Sequence, residues 1–381
     1  MHRSPAARLL AGAALLAGAA FAALGGASGA AAQGVGDDPL DDGPHVYWRD
    51  ATTALVFYHC QGTFRGSGWL SVAEPTLMRG LCADTAATYL VSPKAPEPEP
   101  DTFDDGKRVF AVSDIHGEYR AMVNLLVEAG VVRDDLSWSW GDGHLVILGD
   151  VFDRGEHVTE CLWLIHRLEQ EARSAGGRVH YVLGNHETMV LQGDLRYVND
   201  KYTRGIVAVS AVDYDDLFGP AMELGRWLRS KHIAVRLNGV LFVHGGVGPE
   251  VVERDLDLPR MNALARSALD LRSYDLAFVD MPSFLLAGEG PLWYRRYHRG
   301  TPADPQVTEE ELDAVLGHLG ASAVVVGHTD IGEIQSLYDG RVFGIDVDVD
   351  RLGGLQGLLW DKGTFYRVRK DGTREVVGGG R

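Results

Sequence analysis

The larger, C-terminal part of the chain alternates short apolar runs with longer stretches of helical periodicity. The pattern predicts buried strands over 108–113, 144–148 and 179–183, because these runs are short, apolar and bounded by polar or glycine residues. Apolar residues at helical spacing between them predict an amphipathic helix over 119–129 and a longer helix over 158–175. Strands that alternate with helices are typical of α/β domains with parallel strand pairing.

Toward the C-terminus the pattern changes to hairpins. Asn238-Gly239 joins two short apolar runs, which is a strong signal for a two-residue β-turn. Asp339-Gly340 and Asp371-Gly372 separate two further pairs of predicted strands, and 323–326 is another buried strand. An α/β half followed by a hairpin-rich half predicts two β-sheets packed together with helices outside.

Polar side chains follow the predicted strands, and glycine stands beside each group. The groups are Asp114 with His116, Asp150 with Asp153 and Arg154, Asn185 with His186, then His244, and finally His328. Singly each is weak, since a histidine beside glycine is more often a turn or core residue. Open α/β sheets place their sites at the carboxyl ends of strands, so five groups together predict a metal centre. Mixed nitrogen and oxygen donors suit Mn, Fe or Zn better than Ca or Mg.

The order of these motifs resembles that of a known family. The chain carries SDIHG at 113–117, GDVFDRG at 149–155, GNHE at 184–187, HGG at 244–246 and a late histidine at 328. This order resembles the calcineurin-like metallophosphoesterase superfamily and, within it, the phosphoprotein phosphatase family, with serine in place of the first glycine. GDGHLVILGDVFDRG at 141–155 and GPLWYR at 290–295 resemble the Shewanella-like branch. The resemblance covers about residues 107–350. It implies an α/β fold, namely an α/β/β/α sandwich of two packed mixed sheets flanked by helices.

The resemblance also implies two divalent metal ions, with their identity among Mn, Fe and Zn left open. One ion would be held by the first three ligands, the bridging aspartate would contact both ions, and the last three ligands would complete the second site. The implied ligands are Asp114, His116, the bridging Asp150, Asn185, His244 and His328. In this family the metals activate water to hydroxide, which attacks phosphorus.

The same resemblance assigns the remaining site residues. His186 would be the general acid that protonates the leaving oxygen, and Asp153 would orient its imidazole. Arg154 and Arg295 would bind the phosphate oxygens through their guanidinium groups. Arg154 could instead be a salt-bridge partner of Asp153. Neighbouring strand residues point in opposite directions, so we expect Arg295 and not Arg296 to face the site.

Other acidic residues near the motifs leave alternatives open. Glu187 could be an acid that complements a helix dipole and not a ligand. Asp330 stands two residues after the late histidine, and a ligand role is the less favoured alternative for it. Asp346, Asp348 and Asp350 alternate along an apparent strand, which indicates a solvated face with Asp346 able to border the site.

The resemblance implies a metal-dependent phosphoric monoester hydrolase that acts on phosphoproteins, with phosphoserine or phosphothreonine or phosphotyrosine as the substrate group. A dinucleoside polyphosphate hydrolase and a broad-specificity periplasmic phosphatase that acts on small phosphomonoesters are the enzymatic alternatives. A non-catalytic metal- or phosphate-binding protein is the alternative from another class. The net charge of −17 argues against a nucleic-acid partner, because such proteins carry a basic face. The oligomeric state is left open.

The N-terminus predicts export. Arg3 and Arg8 precede an uninterrupted apolar run over 9–24, and Ala30-Ala31-Ala32 follows before Gln33. A basic start, an apolar stretch and small residues at a cleavage position predict a signal peptide over 1–32, cleaved after Ala32. The protein would then be periplasmic or secreted, with no membrane span after cleavage; an N-terminal membrane anchor is the minor alternative.

Beyond the leader, the sequence predicts three parts. Residues 33–92 would form a mobile acidic arm (33–44) and a small β-rich module, 93–106 a proline- and acid-rich linker, and 107–381 the catalytic domain. A disulfide between Cys60 and Cys82 is one of two alternatives, since their separation in space cannot be read from the sequence. Cys161 lies among apolar residues at helical spacing, which indicates a buried thiol.

Overall fold

The computed structural model describes residues 40–79, 88–210, 212–286, 288–349 and 354–379, without the side chains of 209 and 210. They fall into two compact units. The first contains the described residues up to Glu97 together with Leu195–Arg229, and the second contains those of Pro98–Asp194 and Ser230–Arg381. The predicted signal peptide and the first residues of the predicted acidic arm lie outside the described residues.

The first unit is built on antiparallel strands. Three of them form a sheet in the order β1-β2-β3, and two more form a separate hairpin. The strands are β1 (Asp42–Asp50), β2 (Thr53–Cys60), β3 (Thr63–Ser71), β4 (Thr76–Arg79) and β5 (Thr88–Val91). This confirms the predicted β-rich N-terminal module. The prediction of a mobile arm is wrong at Asp42, which begins β1 and is buried against His45.

Residues 195–229 join this unit through a buried contact with β1. The indole Nε1 of Trp48 donates a hydrogen bond to Oε2 of Glu223 at 2.6 Å, and the Trp48 amide donates to the carbonyl of Ala221 at 2.8 Å. Burial raises the pKa of Glu223, although Arg226 beside it acts in the opposite direction. The segment contains a π-helix, a 3-10 helix and two short α-helices, at Lys201–Ile206, Asp215–Phe218, Val207–Ser210 and Glu223–Leu228.

The cysteines divide between the two units. Cys60, in the first unit, is disulfide-bonded. Its predicted partner Cys82 lies outside the described residues. Cys161, in the second unit, is a free and fully buried thiol, as its apolar surroundings predict. Burial raises its pKa well above the usual value.

The second unit contains two six-stranded mixed sheets. In the first sheet, three parallel strands are extended by an antiparallel meander, in the order β17-β16-β15-β7-β8-β9. Its strands are β7 (Val109–Val112), β8 (His144–Ile147), β9 (Arg178–Tyr181), β15 (Gly357–Asp361), β16 (Thr364–Val368) and β17 (Arg374–Gly379).

The second sheet has the order β13-β14-β12-β11-β10-β6 and combines parallel and antiparallel pairs. Its strands are β6 (Thr102–Phe103), β10 (Ala234–Leu237), β11 (Val240–Val243), β12 (Ala323–Val326), β13 (Gln335–Leu337) and β14 (Val342–Gly344). β6 lies inside the predicted linker, where its two residues pair in parallel with β10. Asn238-Gly239 forms the turn between β10 and β11, as predicted.

One apolar core lies between these two sheets. It joins Val109, Val146 and Leu358 of the first sheet to Phe242 and Val325 of the second, all nearly inaccessible to solvent. Continuous burial on both faces explains why the strands are apolar runs without alternation. The predicted pair of packed mixed sheets is therefore confirmed.

Helices flank the sheets of the second unit. The helix Val158–Ser174 buries Leu162, Ile165 and Leu168 and packs against β9. The other α-helices described in the unit are Tyr119–Glu128, Asn185–Leu191, Glu250–Glu253, Leu258–Ser267, Ser273–Leu276, Asp280–Leu286 and Glu309–His318, and a 3-10 helix covers Tyr338–Gly340. Within the described ranges, no helix has the length and apolarity needed to cross a membrane.

Candidate metal centre

The carboxyl ends of the parallel strands bring the predicted motifs together. Val112, Ile147 and Tyr181, the last residues of β7, β8 and β9, are paired in register, so the loops that follow leave one edge of the first sheet. β11 and β12 are also parallel and deliver His244 and His328 one and two residues beyond their ends. Parallel pairing therefore gathers residues that lie more than 200 positions apart in the chain.

The backbone is left-handed at many of these donors. Asp114, His116, Asp150 and His328 have φ values of 53°, 48°, 54° and 62°. Non-glycine residues rarely adopt this strained conformation, and those that do are often found at functional sites. Gly149, at φ 82°, is required before Asp150, because a Cβ there would lie 2.6 Å from the amide nitrogen of Gly184. The glycines of the motifs thus allow two loops to approach closely.

One group of possible metal donors consists of His116, Asp150 and His186. A donor atom from each lies within 4.8 Å of the others, and all three residues are buried. The imidazole rings of His116 and His186 meet edge to face with centroids 4.9 Å apart. This group includes His186, for which the sequence predicted a general-acid role and not a ligand role.

A second group consists of Asp150, His244 and His328, within the same limit of 4.8 Å. Nε2 of His244 lies 3.1 Å from Oδ2 of Asp150 and 2.9 Å from Oδ1 of Asn185. Asp150 belongs to both groups, which is the placement expected of a carboxylate that bridges two ions.

The histidines are oriented by their surroundings. Nδ1 of His116 donates to the carbonyl of Phe152, and Nδ1 of His244 donates to the carbonyl of Leu148, both at 2.8 Å. Such bonds fix a proton on Nδ1 and direct Nε2 toward the donor groups, where it can ligate a metal once it carries no proton. Nε2 of His328 is buried and, among the described residues, has no hydrogen-bond partner. The donor set therefore fits divalent metals of the Mn, Fe and Zn type.

Burial and neighbouring charges shift the pKa values of Asp150 and of the histidines near it. Burial raises the pKa of Asp150, but the positive charges that His244 and His186 can carry outweigh it and hold this pKa well below the usual value. Burial lowers the pKa of His328 to about 2, and the charge of His244 acts in the same direction. Burial likewise lowers the pKa of His116 to about 4. His116 and His328 are therefore neutral beside an ionised carboxylate, which are the protonation states that metal ligation requires. Burial lowers the pKa of His244 as well, but the charges of Asp150 and Asp114 outweigh it and raise that pKa to about 10, so a metal ion would displace a proton from this imidazole.

Asp114 lies beside these groups but belongs to neither. Its Oδ2 accepts hydrogen bonds from the hydroxyl of Ser113 at 2.5 Å and from the backbone amide of His328 at 3.1 Å. Ser113, which replaces the first glycine of the motif, thus bonds directly to the predicted ligand. Burial raises the pKa of Asp114, and the nearby charge of Asp150 raises it further.

His186 and Asp153 form a buried pair. Nδ1 of His186 donates to Oδ2 of Asp153 at 2.6 Å, and Nε2 of His186 lies 3.7 Å from Oδ2 of Asp150. Burial lowers the pKa of His186, but the charges of Asp150 and Asp153 outweigh that effect and raise it above the usual value. The arrangement leaves the imidazole protonated on Nδ1 and able to hold or release a proton at Nε2.

The predicted arginines differ in their environment. Arg154 is exposed, has φ 61°, and its charge acts on His116 and Asp153. Arg295 is half-buried and donates from Nη1 to the carbonyl of His328 at 2.6 Å, which places it at the metal groups. Arg296 turns to Glu250 and to the carbonyl of Pro305.

Comparison with known proteins identifies the family. Residues 107–331 match the family model described as calcineurin-like phosphoesterase. The chain belongs to this family. This calcineurin-like phosphoesterase is similar to a cold-active protein-tyrosine phosphatase of a psychrophilic Shewanella species, at 36% identity and a TM-score of 0.81. The match covers 88% of this chain and 99% of that chain.

Two curated relatives extend the comparison. An uncharacterised protein of Schizosaccharomyces pombe is 32% identical, with 71% of this chain and 79% of that protein covered. Shewanella-like protein phosphatase 2 of Arabidopsis thaliana is 26% identical, with 77% and 85% covered. The calcineurin-like phosphoesterase is therefore a hydrolase of the phosphatase type with Shewanella-like phosphatase relatives, as the motifs predicted. The family uses two metal ions, and the two donor groups that share Asp150 are able to hold them.

Glu187 has a larger part in this phosphoesterase than the sequence predicted. It is fully buried, and its carboxylate accepts backbone hydrogen bonds from Asp150 and Val151 at 2.8 Å and from Gly184 at 2.6 Å. The amide of Phe152 adds a fourth bond at 3.3 Å, and the hydroxyl of Tyr181 adds a fifth at 3.0 Å. The available signal was its position three residues after the helix N-cap Gly184, the spacing of a capping box.

Asp346 does not lie on a solvated acidic face but near the metal-donor residues, the alternative that the sequence left open for it. β14 ends at Gly344, and the Asp346 side chain is buried, whereas Asp348 is exposed. Burial, together with the charge of Asp114, raises the pKa of Asp346 to about 9. Asp350 lies outside the described residues. Strand-like hydrogen bonding continues past β14, from the Ile345 amide to Val326 and from the Ile331 amide to the carbonyl of Asp346, so the alternation is real but its Asp346 face is not solvated.

Proposed function

We propose that this phosphoesterase removes phosphate from phosphoproteins, with phosphotyrosine as the preferred group, and that it works outside the cytoplasm. The hydrogen-bonded pair of His186 and Asp153, set against two donor groups that share Asp150, carries the chemical part of the proposal. The substrate class is supported by the similarity to a protein-tyrosine phosphatase over 99% of that chain.

The metal ligands follow from the geometry and the family together. His116 and Asp150, together with Asp114, would hold one ion. Asp150 would also contact the second, with His244, His328 and Asn185 as its other ligands. Mn²⁺, Fe²⁺ or Zn²⁺ suits these donors. When bound, the two ions supply positive charge to the phosphoryl oxygens and make water nucleophilic near neutral pH.

His186 would deliver the proton to the leaving oxygen. Its Nδ1 proton is committed to Asp153, so the proton for transfer resides on Nε2. Cations bound beside Asp150 would offset part of that carboxylate's effect on the imidazole. The bond to Asp153 would then be the main interaction that keeps the His186 pKa high enough for a general acid.

Arg154 and Arg295 would bind the phosphate. Arg295 is already held near the metal groups through the carbonyl of His328, and a guanidinium can offer two parallel N–H donors to phosphate oxygens. Arg154 is exposed and follows Asp153 directly, in the loop that also carries Asp150. Two arginines among many carboxylates would let a strongly acidic protein retain an anionic substrate.

The extracytoplasmic location rests on the N-terminal sequence. The basic residues, the apolar run and the alanines before Gln33 support a cleaved signal peptide, and the disulfide at Cys60 is compatible with an oxidising compartment. Export of the full precursor followed by N-terminal sequencing tests this. We expect a mature chain that begins at Gln33, and a chain retained whole in the cytoplasm would contradict the proposal.

The substrate proposal is tested on the purified chain with phosphotyrosine and phosphoserine peptides, p-nitrophenyl phosphate, bis(p-nitrophenyl) phosphate and diadenosine tetraphosphate. Each assay is repeated after removal of metal with EDTA and after addition of Mn²⁺, Zn²⁺, Fe²⁺ or Mg²⁺. We expect phosphotyrosine peptides to be hydrolysed fastest and all activity to depend on metal. Faster hydrolysis of diadenosine tetraphosphate, or activity that survives complete metal removal, would refute the proposal.

A further inference from the structure

A third group of metal-type donors lies in the first compact unit, on the sheet formed by β1, β2 and β3. A donor atom from each of Asp42, His45 and His59 lies within 4.8 Å of the others, and all three residues are buried. Two imidazoles and one carboxylate form a donor set typical of Zn²⁺ and Fe²⁺ sites in proteins. None of these residues belongs to the phosphoesterase motifs.

An irregularity in β1 puts the three side chains together. Residues i and i+3 of a regular strand point to opposite faces of a sheet. In β1, Asp42 pairs with His59 whereas His45 pairs with Phe57, so the register shifts between Asp42 and His45. The shift turns both side chains to the same face, and Nε2 of His45 comes within 2.7 Å of Oδ2 of Asp42.

The second carboxylate oxygen of Asp42 is the observation that points to a ligand. The Asp42 side chain is fully inaccessible, and within the described part of the chain its Oδ1 has no hydrogen-bond partner. A buried polar atom without a partner destabilises the folded state, because it loses its bonds to water and gains none. A bound cation would satisfy this oxygen and would also use the two imidazoles that surround it.

Aromatic rings enclose the group. Phe57 stacks on His45 at 5.1 Å between centroids, and Phe64 meets His59 edge to face at 5.9 Å. Such an apolar shell excludes water and strengthens the bonds between a cation and its ligands. Because the residues are on neighbouring strands of a small sheet, a metal there would stabilise the fold of this unit.

Lys201 opposes a cation at this position. It is buried in the same unit, and its charge acts on both Asp42 and His59. The lysine can partly balance the charge of Asp42 without any metal, which is the competing structural explanation. If the three residues bind a metal ion, removal of the lysine charge should raise the affinity for that ion. If they form only an ion pair with the lysine, metal affinity should not change.

We propose that Asp42, His45 and His59 form a structural site for a divalent transition metal ion of the zinc type, in addition to the metals of the phosphoesterase centre. Tetrahedral zinc places its ligand atoms about 3.3 Å apart, so the His45 and Asp42 atoms now in hydrogen-bond contact would separate slightly on binding. Three protein donors leave one position for water. The proposal does not depend on the substrate or on the chemistry of the other centre.

The test measures zinc bound per chain in the full protein, produced without a histidine tag. Asp150→Asn is the background, since it disables both donor groups of the phosphoesterase centre. We expect this variant to retain about one zinc ion per chain and the double variant Asp150→Asn, His59→Gln to retain almost none. The matched control is His318→Gln in the same background, which removes a histidine outside all three donor groups. Equal zinc content with and without His59 would overturn the proposal.

Two further measurements keep the test decisive if His59→Gln does not fold. In the Asp150→Asn background, Co²⁺ should give the visible absorption bands of a tetrahedral nitrogen- and oxygen-ligated ion. Lys201→Met in that background should bind Zn²⁺ at least about tenfold more tightly, because a buried like charge is removed. Absence of the cobalt bands together with unchanged affinity in Lys201→Met would show that the group is a structural ion pair only.

Discussion

Glu187 holds the backbone of Asp150 in place: its carboxylate accepts the Asp150 amide hydrogen at 2.8 Å while the Asp150 side chain belongs to both metal-donor groups. Glu187 thus fixes the backbone of Asp150, while the side chain of Asp150 is available to both donor groups. The left-handed φ of 54° at Asp150 would be strained without that support. Five donors converge on the Glu187 carboxylate, so it acts as a positioning residue and not as a ligand.

Glu187→Gln should weaken metal binding. The glutamine amide would direct its own N–H group at backbone N–H groups, so the Asp150 loop would shift, and loss of such an outer bond usually costs 10–100-fold in metal affinity. Competition with a chelator measures the affinity. The matched control is Glu169→Gln, which removes a buried carboxylate from Lys231 and Arg173. It should reduce stability and leave metal affinity unchanged. Equal effects of both variants on metal affinity would contradict the positioning role.

His186→Asn should lower kcat by about 10²–10⁴, as expected for loss of a general acid. The loss should be smaller for p-nitrophenyl phosphate than for phenyl phosphate, because nitrophenolate leaves without needing a proton. Asp153→Asn should show the same dependence on the leaving group at smaller amplitude. Metal content must be measured in both variants, because a donor atom of His186 lies within 4.8 Å of donor atoms of His116 and Asp150, so that His186 could also ligate a metal. Loss of metal with a uniform rate effect would instead make His186 a ligand.

Arg295→Lys should raise KM for phosphopeptides and lower kcat/KM by about ten- to a hundredfold, which corresponds to the loss of about 1.5–3 kcal/mol from a charged hydrogen bond. A lysine keeps the charge but cannot make two parallel bonds to phosphate. Arg296→Lys is the neighbouring control, because Arg296 contacts Glu250 and not His328. Steady-state kinetics at equal metal loading measures both. Equal losses would show that Arg295 has no specific contact with phosphate.

The metal-free protein should lose stability in mild acid, in part through His298. Burial lowers the pKa of His298 to about 4, and the nearby charges of Arg299 and Arg295 reinforce this. Below pH 6.5 the unfolded chain takes up a proton at this residue, whereas the folded chain does so only near pH 4. Protonation therefore favours unfolding, and the free energy of unfolding should fall by up to about 1.4 kcal/mol per pH unit within that interval.

Guanidinium titrations at pH 7 and pH 5 in EDTA measure this effect. His298→Gln should show a smaller fall in unfolding free energy between the two pH values than the wild type. The control His318→Gln concerns a half-buried histidine outside the core. If His298→Gln and the wild type respond identically to acid, the pKa of His298 is not lowered in the folded protein.

The phosphoesterase motifs and most of its strands could be predicted because they depend on local chemistry. A strand such as Val109–Val112 is buried on both faces and is therefore apolar throughout. The residues that follow it are metal-type donors and glycine, so the change of residue type marks the end of the strand. The parallel pairing rule then brings those ends to one edge without further information. The roles of Asp114, Asp150, Asn185, His244 and His328 came from the family resemblance that the motif order carries, and the donor types agree with them.

Other features depend on contacts between distant residues. Residues 195–229 carry no motif that assigns them to the first unit; their contacts with it, such as the bond from Trp48 to Glu223, do so. Alternation put Asp346 and Asp348 on one face, but only the tertiary structure shows that Asp346 is buried and Asp348 is exposed. His45 and His59 had no recognisable spacing, since a register shift in β1 sets their approach.

The sequence by itself determined the α/β class, the order of the strand-end donors and the family, because apolar periodicity and motif spacing are local properties of the chain. Only the tertiary structure decided that Asp150 serves two donor groups, that Glu187 supports its loop, and that Asp42 meets two histidines. The physical reason is that hydrogen bonding and burial act between side chains close in space, and strand register and loop conformation set those distances.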